Sequence, residues 1–331
     1  MKTYSYTDCL EKSYRVNWTI DSVLDGRNFD TNKRWLPSAL SAADAILFFN
    51  EVEKRKLTHI EMGAYAHIFG YVEEFIAPVM THQAQDFEVD NRPAFDALAN
   101  FVAEEVKHMN LFRRVRELVN QAIGHELKLI DGADDVARYV LTKNRGGVLL
   151  LIDCIEWFTQ YHYTTAFKGD NGLDELTKNI FKAHWLEESQ HARLDHLEAA
   201  RMFAGFDNAE RDEAINDLIE LVQAVDGLLQ KQTAYDIENL ERYLGRIFNV
   251  GEKKIIYNAE LRTKRWVFIE SGVVHPRFAR LFANVTTPAQ QQRVQQALWI
   301  AGFHNLGNDM WKFHLIERCN PVGAIQHHIA A

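Results

Sequence analysis

Two stretches of this 331-residue chain place a glutamate three residues before a histidine: Glu105-Val106-Lys107-His108 and Glu188-Ser189-Gln190-His191. Residues three apart on a helix share a face, so both side chains of each pair reach one point. In a chain with 14 histidines such a pair also arises by chance, and one alone reads as a surface neighbour pair. Further residues shift that balance. His184 stands four residues before Glu188, so His184-x-x-x-Glu188-x-x-His191 forms one stripe of potential ligands. Glu156 sits in the apolar run Leu149-Leu150-Leu151-Ile152-Asp153-Cys154-Ile155-Glu156-Trp157-Phe158, where an ionised carboxylate is costly unless paired or bound to metal. Glu73 and Glu74 lie in IFGYVEEFIAPVM, and a helical wheel puts Glu73 at the edge of the apolar arc of Phe69, Val72, Ile76 and Met80. Glu74 falls opposite, near His67 and Thr81, so Glu73 is the expected ligand and Glu74 its competitor.

The order is therefore Glu, Glu-x-x-His, Glu, Glu-x-x-His, one group per helix. Four-helix bundles hold two carboxylate-bridged irons or manganese ions in this way. Four carboxylates balance two divalent cations, and the imidazoles complete the coordination. Oxygen-rich ligation with imidazole and no thiolate suits iron or manganese better than copper(I) or structural zinc. Asp195, four residues after His191, is placed either to accept the ring N–H of His191 or to sit on the surface.

The elements that must carry these groups are helices. The prolines stand at 37, 78, 93, 276, 288 and 321, leaving Ala94 to His275 free of them. Interior proline costs about 3 kcal/mol, so a long proline-free stretch rich in Ala, Leu, Glu, Lys and Gln favours helix. Helices are expected near 41–56, 58–80, 93–123, 133–143, 147–167, 172–204, 208–246, 253–270 and 288–316. Pro93 suits a first turn, and Asn144-Arg145-Gly146-Gly147 reads as a helix C-cap. Strand and hairpin signals are scarce, and there is no repeat or low-complexity linker. The reading is one all-α domain over 1–331, with the metal-binding bundle at about 58–204 and additional helices at about 208–316.

Composition agrees. With 47% hydrophobic residues there is material for a large core. The net charge of −9 argues against a general binder of nucleic acid, and no apolar run reaches the roughly 20 residues that span a bilayer. The N-terminus, MKTYSYTDCLEKS, has no apolar core of a signal peptide, and Cys9, Cys154 and Cys319 suggest neither a disulfide framework nor a zinc site. A cytoplasmic protein without membrane contact is expected. No glycine-rich phosphate loop precedes a helix, which leaves nucleotide binding unsupported. The aromatic stretches Tyr161, Tyr163 and Phe167, and Phe278 and Phe282, fit a core. Cys154 and Trp157 read as packing, and His304 and His314, near Trp299 and Trp311, as solvent-facing or hydrogen-bonded core residues.

From Trp35 to Ala200 the chain resembles the ferritin-like diiron oxygenases related to p-aminobenzoate N-oxygenase. The likeness is carried by the Trp35-Leu36-Pro37 loop, the EEFIAP helix end, the ligand separations and the extra histidine, His184, on the last ligand helix. It implies a ferritin-like four-helix bundle core with additional helices. It implies the ligands Glu73, Glu105, His108, Glu156, His184, Glu188 and His191 for two iron ions, with manganese an alternative. It further implies a non-haem diiron monooxygenase acting with O2 on a small molecule, an amine above all, with a reductase or ferredoxin as external electron donor. A homodimer is compatible with it, and the last third would complete a substrate pocket. The competing readings are a ferritin-like iron-handling or ferroxidase protein and a dimanganese relative.

Overall fold

The computed structural model describes residues 4–87 and 91–303. Among them there is no strand, only an isolated bridge between Arg34 and Leu173. The helices in chain order are α1 (Tyr6–Ser13), α2 (Ile20–Leu24), α3 (Glu51–Gln85), α4 (Arg92–Ile123), α5 (Ala133–Leu141) and α6 (Arg145–His162). They continue as α7 (Glu175–Gly205), α8 (Asn208–Leu244), α9 (Val250–Arg265), α10 (Ser271–Val273), α11 (Pro276–Val285) and α12 (Pro288–Ala301). Two 3₁₀ turns precede α3, and the π-helical stretches Tyr163–Phe167 and Trp266–Glu270 extend α6 and α9. The all-α expectation holds.

Caps explain most boundaries, including those the sequence misplaced. Asn50 accepts the N–H groups of Val52 and Glu53 while Glu53 reaches back to the Asn50 N–H, so a capping box starts α3 at Glu51. Of the expected helix near 41–56 only 51–56 is helical, running straight into the one near 58–80 because Lys56-Leu57-Thr58 contains nothing that breaks a helix, while 41–50 forms a 3₁₀ turn and irregular chain. Pro93 takes the first turn of α4, and Gly124 closes it with φ of 83°. The supposed C-cap at Asn144-Arg145-Gly146-Gly147 is an N-cap instead. Asn144 accepts the Gly146 N–H and opens α6. The glycines serve close approach: a Cβ on Gly147 would lie 2.4 Å from the Ala214 carbonyl oxygen of α8. The sequence reading had missed α1, α2, α10 and α11. The expected last helix is described only as far as Ala301, and His304, Trp311 and His314 lie outside the described residues.

α3 packs along α4 and α6 along α7, while α8 lies against both α3 and α6. One continuous hydrophobic core runs through these helices and takes in α11 and α12. A buried ion cluster fastens the added helices to the bundle. Lys264 of α9 pairs with Asp236 of α8 at 2.8 Å and with Glu260, beside Glu61 of α3. No helix among the described residues is long and apolar enough to cross a membrane. Of the residues read as core, Tyr163, Phe167, Phe278 and Phe282 are buried and Tyr161 is half-buried.

Candidate metal centre

Four helices, α3, α4, α6 and α7, bring the expected side chains to one place. Glu73 comes from α3, Glu105 and His108 from α4, Glu156 from α6, and His184, Glu188 and His191 from α7. All seven are buried. Two groups of donors are each close enough to hold one metal ion: Glu73, His108, His184 and Glu188, and Glu105, His108, Glu188 and His191. They share His108 and Glu188. One carboxylate oxygen of Glu188 lies 2.9 Å from His108 Nδ1 and 2.6 Å from His184 Nε2. Its other oxygen lies 2.9 Å from His191 Nδ1. Glu73 Oε1 is 3.3 Å from His184 Nε2, and Glu105 Oε1 is 2.8 Å from His191 Nδ1. Glu156 belongs to neither group, but it lies against Glu188 with one buried oxygen unpartnered.

The electrostatics are those of a site built around positive charge. Burial pushes the Glu73 and Glu156 carboxyls well above their ordinary range, and neighbouring glutamates push them further. Glu188 goes the other way. Burial opposes its ionisation, yet His184, His191 and His108 around it hold its carboxyl well below the usual range. At His108 burial disfavours the imidazolium, but Glu188 and Glu187 outweigh it and raise the pKa to about 10. Glu73 Oε2 and both oxygens of Glu105 are buried without a hydrogen-bond donor. Buried carboxylates without donors are costly unless a cation answers them. Orphaned oxygens and converging imidazole nitrogens, with no thiolate among the described donors, fit a metal ion.

The residues that hold the histidines were not foreseen. His191 does not turn to Asp195. Its Nε2–H donates to Glu104 at 3.0 Å, and His108 Nε2–H donates to Glu187 at 2.8 Å. Asp195 is neither on the surface nor a partner of His191: it is fully buried, with neither oxygen hydrogen-bonded. Burial, and then the charge of nearby Asp153 of α6, push its carboxyl well above the ordinary range. The sequence did carry the signal for the true partners. Both motifs are Glu-Glu-x-x-His, and the first glutamate of each crosses to the histidine of the other. Such outer carboxylates fix the tautomer, leaving Nδ1 free for metal. Ser13 of α1 donates in turn to Glu104, and Lys107 pairs with Glu187.

Aromatic rings seal the cluster. Trp18 stacks on His108 at 5.7 Å, Phe101 on His191 at 3.8 Å, and Phe69 and Phe112 stand edge-on to His184 at 5.3 and 4.9 Å. Cys154 is packing, its thiol directed to the Ile269 carbonyl, and Trp157 Nε1–H donates to Asp153 at 2.9 Å. The C-terminal helices form an apolar pocket against α6, lined by Leu151, Cys154, Leu218, Phe268, Phe278 and Phe282 among others. No candidate metal ligand lines it.

Two expected results arise here. Glu74 is paired with Arg113 at 3.1 Å on the outer face of α3, so Glu74→Gln should leave metal content unchanged while Glu73→Gln lowers it. Equal metal content in both variants would refute the assignment. Glu104→Ala and Glu187→Ala should each weaken metal binding by roughly 10–100-fold, the usual cost of losing an outer partner. Competition against a chelator measures this directly. Parental affinity in both variants would show that the crossed carboxylates do not support the ligands.

Set against known proteins, the chain matches no protein-family model, and no curated protein matches its sequence. What the geometry defines by itself is an all-α chain whose buried Glu/His groups can hold metal.

Proposed function

We propose that this chain is a non-haem diiron oxygenase that activates O2 to oxidise a small organic substrate, an amine in first place. The observation that carries the reading is the pair of buried donor groups joined by Glu188 and His108. Glu73 and His184 would serve one iron, Glu105 and His191 the other, with Glu188 between them and Glu156 completing the carboxylate set. An iron pair held there supplies the electrons that reduce O2 and an oxidant for the substrate. The chain's own residues do the rest. Glu104 and Glu187 keep the ring protons of His191 and His108 on Nε2, so that Nδ1 stays a ligand through the cycle. Trp18, Phe101, Phe69 and Phe112 exclude water from the imidazoles. Amine as the substrate class, and an external reductase or ferredoxin as electron source, rest on the likeness to the p-aminobenzoate N-oxygenase group.

His184 favours an enzyme over an iron store. A centre that releases oxidised iron has little need of a third imidazole, whereas an oxygenase keeps both ions. The test is metal analysis of the aerobically purified chain, followed by reconstitution with ferrous iron and exposure to O2 with arylamines. About two irons per chain, retained after oxidation, with hydroxylamine or nitro products, is the expected result. Many irons per chain driven into a mineral core would favour the ferroxidase reading, and two manganese ions without amine oxidation the dimanganese one.

A further inference from the structure

The bundle buries a second hydrogen-bonded line that the metal centre does not use. Tyr65 lies on α3, eight residues before Glu73, and its hydroxyl donates to His162 Nδ1 at 2.7 Å. The direction follows from the far side of the imidazole. Ser271 Oγ donates to the Val267 carbonyl at 3.0 Å, so it accepts the His162 Nε2–H, also at 3.0 Å. Nδ1 therefore carries the lone pair. A buried phenol needs only an acceptor, and a backbone carbonyl suffices, as Asp131 shows for Tyr71 at 3.1 Å. Tyr65 has a proton-free base instead.

The surroundings give that base a use. Tyr65 is enclosed by the rings of Phe69, Phe181 and Phe268 at 4.7, 5.2 and 5.5 Å. Burial pushes the phenol well above its ordinary pKa and His162 down to about 3, so both are neutral at rest. An apolar cage tolerates neither a phenolate nor a cationic phenol radical. Tyr65 can therefore lose an electron only as its proton moves, and the acceptor is already aligned. One ring separates it from the metal centre: Phe69 touches Tyr65 on one side and His184, at 5.3 Å, on the other.

We propose that Tyr65 and His162 form a one-electron redox couple that feeds the metal centre through Phe69, an inference that rests on reading that centre as an O2-activating iron pair. In the forward step the Tyr65 O–H bond breaks. The electron passes to the O2-oxidised iron centre, which is reduced by one equivalent. The proton bonds to His162 Nδ1, leaving a neutral phenoxyl radical beside an imidazolium. The other ring nitrogen is tied to Ser271, so the proton stays on His162 and returns when the external donor re-reduces the radical. The weak basicity of buried His162 makes Tyr65 hard to oxidise, so it yields only to a strong oxidant left without substrate.

Two measurements on the full-length chain test this. In the first, the iron-free chain is oxidised by flash-generated ruthenium(III) polypyridyl and read by electron paramagnetic resonance. A tyrosyl signal is expected that is lost in Tyr65→Phe. In His162→Gln its formation should slow by roughly 10²-fold or more, the usual cost of removing a positioned base. A signal unchanged in Tyr65→Phe, or formed at the parental rate in His162→Gln, overturns the couple whatever the metal does. In the second, the ferrous-loaded chain is mixed with O2 without substrate and freeze-quenched. The same radical should appear, with lower yield in Phe69→Leu at equal iron content. Iron that binds and oxidises with no Tyr65 radical overturns the link to the centre. A chain that takes up no iron overturns the metal reading and this link together, while the first measurement judges the couple by itself.

Discussion

Glu188→Gln should strip the chain of the metal it binds while leaving its helices in place. Glu188 is the one carboxylate common to the two donor groups. Its two oxygens face three imidazole nitrogens at 2.6 to 2.9 Å. The amide keeps the volume, so α7 and its neighbours are not left with a cavity. It removes the charge that would offset bound cations, and it turns N–H donors toward positions where metals would sit. Glutamine at Glu73 or Glu105 touches one group only and should cost less. Metal content by elemental analysis, with circular dichroism as the check on fold, reads the result. A Glu188→Gln chain that keeps even one full equivalent of metal would show that the centre is not bridged there.

The metal-free chain should lose stability as pH rises from about 7 to 10, and added metal should reverse that trend. The sign follows from His108. Its folded pKa of about 10 lies above the ordinary value near 6.5, so between these limits the folded state holds a proton that the unfolded state has released. His191, whose pKa burial lowers but Glu188 and Glu105 raise well beyond the ordinary value, acts in the same sense. Stability from these groups is complete below about pH 6.5 and is lost on passing through the folded values. The glutamates raised by burial strengthen the trend from lower pH. Metal takes the place of those protons. Ferrous or manganous ion should therefore raise Tm more at pH 8.5 than at pH 6.5, and calorimetry in buffers of different ionisation heat should detect protons released on binding. A metal-free Tm that climbs steadily over this range would contradict the assigned charge state.

The ligand helices were legible because a metal site repeats the period of the helix. Glu105 and His108, or His184, Glu188 and His191, can serve one point only through spacings of three and four, and those spacings survive in the sequence without knowledge of packing. Glu73 over Glu74 was likewise a matter of which arc of α3 is apolar. What the sequence did not yield depends on distance between helices. Glu104 and Glu187 were visible as doubled glutamates, but nothing local says that each reaches the other motif's histidine. Asp195 was weighed as a partner only because it shares the stripe of His191, whereas the partner of His191 comes from α4. Gly146 and Gly147 looked like a helix stop because glycine usually breaks helices. Their role is steric: a Cβ on Gly147 would lie 2.4 Å from the backbone of α8, and one on Gly146 2.5 Å from the Phe206 ring. The N-terminal α1 escaped notice because its contribution, Ser13 against Glu104, spans 91 residues of sequence.

The crossing of the outer carboxylates sets an order of events during synthesis. Until residue 191 has been made and α7 has docked on α4, His108 lacks Glu187 and Glu188, and His191 lacks Glu104. On the proposed reading, neither half of the constellation is a finished metal trap alone, so a nascent chain carrying only α3 and α4 would hold metal poorly. Loading is then a late event that reports completed assembly. On that reading, a cell short of the metal would accumulate folded empty chains rather than half-loaded fragments, ready to be filled after translation has ended.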